Sequence, residues 1–554
     1  MKNNFKFLPL FLLTFTPYLS FGQSATGLQG EVLPNVPNQS NKVVIPTVQS
    51  EPQKRKSQES QAKVTIKSIV IDGNQFVSTD KLLVAAGEYQ NHTFSLSELN
   101  QIASLMEKIY RESGYPFAQV YIPPQDIKNG VMHFQVLEGH FGKINATSKD
   151  EKLIKGAQTI LNWGLKVGDP IYNEQLERTM LILDDQAGMK IHPLIMPGAK
   201  TGDADLEVQV ERSSYLSGEV GIDNTGSTAT GANRLHSTLI FNSPFMYGDK
   251  VTLNAMGTDQ QMWLGSIDYD MPIHPSGWRA QVGYARTSYQ LVGSQYDALG
   301  AFGISDVGTA KLSYPLIRSQ ATNVLFSMGV QAKKLHDEYQ AVSVTRDKSS
   351  FGFPVSLQFD KRDRLLGGGV TYGYLTFTSG NLNLDSSLVA TDSATANTQG
   401  SFNKINFDLA RIQSTMIDNL SLYGRYSSQW ANKNLDSSEK FNLGGFYGVR
   451  AYPLGEGLGD QGWFAQLELR YSINAVTPFI FYDVGRTIAN KAPWDINSDM
   501  DRSVSAFGIG ARYIENGWSL DTTVAWRTQS SGPSTSDAMN DKNPRFFVML
   551  GKHF

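Results

Sequence analysis

"FAQLELRYSI", residues 464–473, decides how the second half of this chain folds. In an extended chain side chains alternate between two faces. Ala465, Leu467, Leu469, Tyr471 and Ile473 then fall on one face, and Gln466, Glu468, Arg470 and Ser472 on the other. "KINFDLAR" sets Ile405, Phe407 and Leu409 against Asn406 and Asp408, and "PVSLQFD" sets Val355, Leu357 and Phe359 against Ser356, Gln358 and Asp360. In "DTTVAWRT", Val524 and Trp526 oppose Asp521, Thr523 and Arg527. A soluble sandwich alternates in the same way, so other features must separate the two. After Arg212 such segments run for over 340 residues without a helical period, broken by loops rich in Gly, Asn, Asp and Ser. Their polar faces carry full charges, which suits a wet lumen, and their apolar faces carry Tyr, Trp or Phe near segment ends, as an interfacial girdle requires. About 16 segments are countable, at the roughly 9–11 residues of a membrane strand. An open sheet edge in lipid leaves backbone groups unpaired. The expectation is a 16-stranded transmembrane β-barrel over 213–554, with no helix.

The chain has 554 residues, a formal charge of −3 and no cysteine. The balanced charge argues against a nucleic-acid partner, and the missing cysteines exclude disulfides and thiolate metal sites. Mean hydropathy is −0.28, and after the N-terminus no apolar run approaches the roughly 20 residues of a membrane helix. The first 22 residues read as a secretory signal peptide: Lys2 and Lys6, the apolar run "FLPLFLLTF", then the small residues of "SFG". Residues 23–62 are polar and carry Gly27, Gly30, Pro34 and Pro37, the composition of a linker.

Residues 63–212 have a different texture. "VTIKSIVIDGN" reads as one strand, 80–86 as a short helix, and "SLSELNQIASLMEKIYRESGY" as a long helix with Leu99, Ile102, Met106, Ile109 and Tyr110 on one face. Ser95 and Glu98 fit a capping box, and Gly114 the position after the C-cap. "FAQVYIP" and "VMHFQVLEG" follow as strands. The order then repeats: "HFGKINAT", two helices with Leu176, Met180 and Leu183 on one face of the second, then "MKIHPLIMP" and the alternating "ADLEVQVER". Two related α+β modules are expected, at 63–139 and 140–212.

Two such modules ahead of a sixteen-strand barrel resemble the two-partner secretion transporters of the outer membrane (TpsB type), within the polypeptide-transport superfamily that also holds the barrel-assembly protein. The modules look like POTRA domains. "GYPFAQVYIPPQDIKNGVMHFQVLEGHFGKI" is similar to the family's first-POTRA pattern. "GVRAYP" resembles the loop signature Val-Arg-Gly-Tyr/Phe, with Ala451 in the glycine's place, and "FYDVG" resembles the partner signature Phe-x-Asp-x-Gly. The ending "RFFVMLGKHF", with Phe546, Val548 and Leu550 alternating toward Phe554, looks like the C-terminal assembly signal of outer-membrane barrels, although Lys552 stands where an apolar residue is usual.

The resemblance implies that the loop 431–462 folds into the lumen and that Arg450 there pairs with Asp483. Gly448, Val449, Ala451 and Tyr452 would belong to the loop motif, and Phe481 and Gly485 to the strand motif. Alternation alone does not assign the lumen face of "TPFIFYDVGR". Phe479, Phe481 and Asp483 share one face, and Ile480, Tyr482 and Val484 the other. Gly444, Gly445 and Gly448 are expected to allow the loop's tight turns. The resemblance further implies a partner-binding region near Pro123, Pro124, Gln125 and Gly139. The expected partners are an unfolded TpsA-type exoprotein of the haemolysin, adhesin or contact-dependent toxin class, periplasmic chaperones, the barrel-assembly machinery and outer-membrane lipid. Many relatives carry a plug helix, for which 23–62 offers little apolar period.

No enzymatic signature, cofactor or metal site is read. The eight histidines show no ligand spacing. "FDKRDR", residues 359–364, reads as a lumen or turn cluster. A barrel-insertion factor would share both motifs but carry more POTRA modules, and a porin would leave 63–212 without a task.

Overall fold

The computed structural model describes residues 63–127, 129–293, 300–495, 501–530, 532–533 and 541–554. The expected signal peptide, 1–22, and the segment 23–62 lie outside the described residues. Two compact units divide the chain, meeting in sequence at Ser213/Ser214.

The first unit holds both modules. Its elements are β1 (Lys63–Ile66), β2 (Ser68–Asp72), α1 (Thr79–Leu83), β3 (His92–Ser95), α2 (Leu96–Glu112), β4 (Gln119–Tyr121) and β5 (Val131–Leu137), then β6 (His140–Thr147), α3 (Glu151–Gly164), α4 (Asn173–Asp184), β7 (Met189–Pro197) and β8 (Asp203–Arg212). "VTIKSIVIDGN" is two strands, not one. The chain turns at Lys67, where the N–H groups of Lys67 and Ser68 both donate to the Gly130 carbonyl. As a result β1 pairs with β3 in a small separate sheet, while β2 joins the sheet β2-β5-β4. The second module forms the sheet β6-β8-β7. In α2, Leu99, Ile102, Met106 and Tyr110 are buried against Ile69, Ile71, Met132, Phe134 and Val136. The Ser95–Glu98 capping box is formed, and Gly114 sits at φ +94° just past the helix.

The second unit is a closed antiparallel barrel of sixteen strands. They are β9 (Leu216–Asp223), β10 (Arg234–Asn242), β11 (Lys250–Thr258), β12 (Trp263–Pro272), β13 (Arg279–Gln290), β14 (Ala301–Arg318), β15 (Thr322–Tyr339), β16 (Val344–Asp363), β17 (Gly369–Leu384), β18 (Gly400–Ser414), β19 (Leu420–Ala431), β20 (Gln461–Tyr471), β21 (Val476–Ile488), β22 (Asp501–Glu515), β23 (Trp518–Arg527) and β24 (Arg545–His553). β24 pairs with β9 to close the ring. Burial is inverted relative to a soluble protein. On β20, Leu467 is 51% exposed while Glu468 is 3% exposed. The apolar face therefore points to lipid and the polar face to the lumen. Trp430 and Trp463 are exposed at one end of the wall, Tyr471 and Trp518 at the other.

The region is not free of helix. α5 (Ser386–Ala394) stands in the β17–β18 loop, capped by Asp385, which accepts from the Ser387 N–H, and it buries no residue. Outside the lipid layer the backbone need not stay in the sheet. Phe554 exchanges backbone hydrogen bonds with Gly218. Lys552 reaches the Asn516 carbonyl at 2.8 Å and lies over the Trp518 ring. It thus spends its charge at the rim, which explains how it replaces an apolar residue there. The "FDKRDR" cluster lies at a strand end and turn, where Arg411 forks onto Asp363 at 2.8 and 3.0 Å.

Candidate functional site

The loop 432–460 between β19 and β20 does not leave the barrel but packs against its inner wall, with most of its residues buried. Its tip is seated on an apolar cluster: Phe441, Leu443, Val449, Ala451 and Tyr452 from the loop meet Phe464, Phe479, Phe481, Val504, Ala506 and Ala525 from the wall. Phe446 reaches Phe547 on β24, with ring centroids 5.4 Å apart.

Within this seat Arg450, 2% exposed, is fully engaged. Its Nε and one terminal nitrogen donate to the two Asp483 oxygens at 2.8 and 2.7 Å, and the other donates to Glu468 at 2.6 Å. Its backbone N–H adds a bond to Asp483 at 3.2 Å. The guanidinium lies 3.5 Å above the Phe481 ring. Charge, planar fork and ring face are thus all used, which a lysine could not reproduce.

The face that alternation left open is now assigned. Phe479, Phe481 and Asp483 point into the lumen. The strand motif is a row of three inward positions. Phe481 supplies the ring and Asp483 the carboxylate. Gly485 supplies space, because a Cβ there would lie 2.5 Å from Leu443 of the loop. Of Gly444, Gly445 and Gly448 only Gly445 adopts a left-handed angle, φ +96°. Gly444 and Gly448 are required by close approach instead: a Cβ on either would overlap the carbonyl oxygen of Pro453 or of Leu443. The Gly448 carbonyl accepts from Gln466 at 2.8 Å. Ala451 is buried and adopts no left-handed angle, so the alanine is accommodated.

The sequence reading missed most of the surrounding network. Glu468 also accepts from Arg470 and Arg512, and Arg512 passes on to Asp521 at 2.7 Å. Arg450, Arg470 and Arg512 therefore face Asp483, Glu468 and Asp521, and the cluster is formally neutral. Next to it Arg425, on β19, grips Asp408 at 2.8 Å and donates to the Tyr447 carbonyl of the tip at 3.0 Å. The signal for Glu468 was present in its place on the polar face of "FAQLELRYSI". No spacing rule joins it to Arg450.

Of the four residues expected at a partner-binding region, Pro123, Gln125 and Gly139 have internal partners. Gln125 clasps the edge of β5, accepting from the His133 N–H at 2.9 Å and donating to its carbonyl at 2.8 Å. It also donates to the Pro123 carbonyl at 3.3 Å. A Cβ on Gly139 would lie 2.7 Å from Phe117. Pro124 precedes this clasp in the chain.

The barrel's lumen thus holds its own loop by buried charge. The arrangement is that of an outer-membrane barrel of the polypeptide-transporting class. Residues 202–513 match the family described as "Haemolysin secretion/activation protein ShlB/FhaC/HecB", and residues 64–139 match the ShlB-type POTRA domain. The chain belongs to this family. Relatives include the "Heme/hemopexin transporter protein HuxB" of Haemophilus influenzae (strain 86-028NP), 27% identical with 82% of this chain and 81% of that one covered. The "Outer membrane transporter CdiB" of Dickeya dadantii (strain 3937) is 22% identical, with 81% and 79% covered. Among solved structures, CdiB from Escherichia coli shares the fold at TM-score 0.68 and 18% identity, covering 93% of this chain and 95% of that one. BamA from Haemophilus ducreyi lacking POTRA domains 1–3 also shares it, at TM-score 0.53 and 12% identity, covering 89% and 100%. Fold alone thus does not separate transporter from assembly factor, and the family match does. The chain is a two-partner secretion transporter of the outer membrane, with its POTRA region in the periplasm, and it exports a partner exoprotein.

Proposed function

We propose that the POTRA modules capture the unfolded exoprotein in the periplasm and feed it to the barrel, while the Arg450–Asp483 fork holds the lumen loop in register. The supporting observation is the doubly held Arg450, since so many charge-assisted bonds on one loop residue serve position rather than chemistry. In this reading 1–22 is removed on export, 23–62 is a polar linker segment ahead of the modules, 63–139 and 140–212 are the capture units, and 213–554 is the conduit. Periplasmic chaperones deliver the cargo, and the barrel-assembly machinery inserts the chain through the strand ending at Phe554. No enzymatic step or cofactor is assigned.

Capture near Pro123, Pro124, Gln125 and Gly139 uses the flank of α2 and β4. Glu107 already takes the outward N–H of Val120 at 3.0 Å, which weakens strand addition there. Exposed Leu105 and Tyr121 offer apolar contact instead. The cargo is a large exoprotein of the haemolysin, adhesin or contact-dependent toxin class. The higher identity to relatives named for haem/hemopexin transport, 27% against 22% for CdiB of Dickeya dadantii, directs the first search to haem acquisition.

Mass spectrometry of the medium and cell surface with and without this gene tests the reading. Loss of one large exoprotein with other barrels unchanged is expected. A general fall in outer-membrane barrels would make the chain an assembly factor instead. Deleting 63–212 is expected to abolish export and leave a conducting pore, and continued export would remove the capture role.

A further inference from the structure

The loop is held in two physically different ways. Its tip has the apolar seat and the arginine fork. Its descending arm, 432–440, has lysines. One 3₁₀ turn, Ser437–Glu439, is capped by Asp436, whose carboxylate accepts from the Ser438 N–H. Side chains three apart in such a turn project on one side, and here both acids meet the opposite stretch of wall. Glu439 binds Lys333 of β15 at 2.6 Å through one oxygen and Lys404 of β18 at 2.9 Å through the other. Asp436 binds Lys348 of β16 at 2.7 Å. Lys333, Asp436 and Glu439 are all buried, and Asp337, held by Tyr289 at 2.5 Å, lies close by as a third acid. The arm's other ties include an ion pair inside the loop, Lys440 to Asp460 at 3.0 Å, a bond from Lys433 to the Gln399 carbonyl at 2.7 Å, bonds from Asn434 to the carbonyls of Ala396 and Ala492 at 2.8 Å, and the packing of Leu435 on Phe402 and Ala431.

We propose that this lysine cage is the latch of the pore, and that the arm 432–440 swings off β15–β18 to open it while the Arg450 tip stays fixed. Lysine is a point charge on a flexible stem, whereas the arginine fork fixes both distance and plane. The arm's few apolar contacts resist displacement far less than the tip's cluster. Releasing Asp436 and Glu439 removes the arm's ion pairs with β15, β16 and β18 and leaves the tip's contacts with β19–β24 intact. The proposal rests on the conduit reading for the identity of what passes, but its test uses salt current and is independent of any exoprotein.

The full-length protein is placed in planar lipid bilayers and potassium chloride current is recorded. Glu439→Gln keeps the side chain's shape and removes its charge, and is expected to raise the open fraction about tenfold, whereas Lys348→Arg keeps the closed state. The chain has no cysteine, so Lys348→Cys with Asp436→Cys can be joined selectively by a reductant-cleavable bis-methanethiosulfonate. That bridge is expected to suppress openings, and reductant to restore them. The same bridge between Phe446→Cys and Phe547→Cys is expected to leave openings unchanged. Openings that persist through the arm bridge, or an unchanged open fraction in Glu439→Gln, overturn the proposal. So does a tip bridge that suppresses openings as fully, because the loop then moves as one body. Heat-modifiable migration on gels reports folding of each variant separately.

Discussion

Arg450 and Asp483 lie 33 positions apart in the chain and meet as a two-point fork in the barrel lumen, with bonds of 2.8 and 2.7 Å. Removing one partner of such a buried pair costs about 3–5 kcal/mol, because the other charge is left uncompensated. Arg450→Lys keeps the charge but loses the fork and most of the Phe481 contact. It is therefore expected to reduce export nearly as much as Arg450→Ala, with the barrel still inserted and heat-modifiable. Near-normal secretion by Arg450→Lys would show that charge alone positions the loop. Arg450→Ala combined with Asp483→Ala should be no worse than either alone, since the two act as one unit.

Glu468 is the common acceptor of Arg450, Arg470 and Arg512. Glu468→Gln turns a neutral cluster into one with an unbalanced buried positive charge. Its effect on export and on the barrel's unfolding temperature should match that of Asp483→Asn, on the order of 3–5 kcal/mol. A variant indistinguishable from wild type in both assays would mean that water or counter-ions balance the arginines.

The loop glycines separate two reasons for glycine. At Gly448 the backbone angle suits any residue, but a Cβ would overlap the Leu443 carbonyl. Gly448→Ala should therefore displace the tip and abolish export. Ala451→Gly restores the usual family residue at a position whose angles need no glycine, and removes one buried methyl. It should cost about 1 kcal/mol and leave export intact. Export counts for the two single variants, with barrel folding checked, decide this. Equal defects would show that the motif tolerates no change at either place.

Alternation in "FAQLELRYSI" was enough to place Glu468 and Arg470 on the wet face and Leu467 and Leu469 in lipid, because the two-residue period is a local property. "TPFIFYDVGR" resisted the same treatment because Phe479 and Phe481 point inward, where they serve as ring platforms for Arg512 and Arg450. Function there overrides the polar-in rule. The fork itself was legible only through the resemblance of two short motifs. The links from Glu468 to Arg512 and from Lys333 to Glu439 join residues distant in the chain, and depend on how far round the barrel the loop reaches. The break at Lys67 was hidden because a third strand, β3, was needed to draw β1 out of line.

A last prediction concerns the joint of the two POTRA modules. Glu138, 7% exposed, accepts from the N–H groups of Gln75 and Phe76 at 2.8 Å and from the Tyr110 hydroxyl at 2.7 Å. Glu138→Ala leaves these three donors without their acceptor, at about 1–3 kcal/mol each where water does not enter. The expected outcome is faster proteolytic cleavage near residue 139 with the barrel unaffected. Unchanged cleavage would assign the joint's rigidity to the Phe76, Tyr115 and Tyr172 rings instead. Burial and the bond to Glu138 raise the Tyr110 hydroxyl's pKa well above the ordinary tyrosine value. Folding favours its neutral form, so its contribution to stability is complete below roughly pH 10 and declines as pH rises beyond it. Tyr110 should thus be silent while exposed tyrosines ionise. Tyrosinate absorbance titrated between about pH 9 and 12 should be the same for wild type and Tyr110→Phe as long as the modules stay folded. A titration short of one tyrosine in the variant would show that Tyr110 ionises in the folded module and that the bond to Glu138 is open to water.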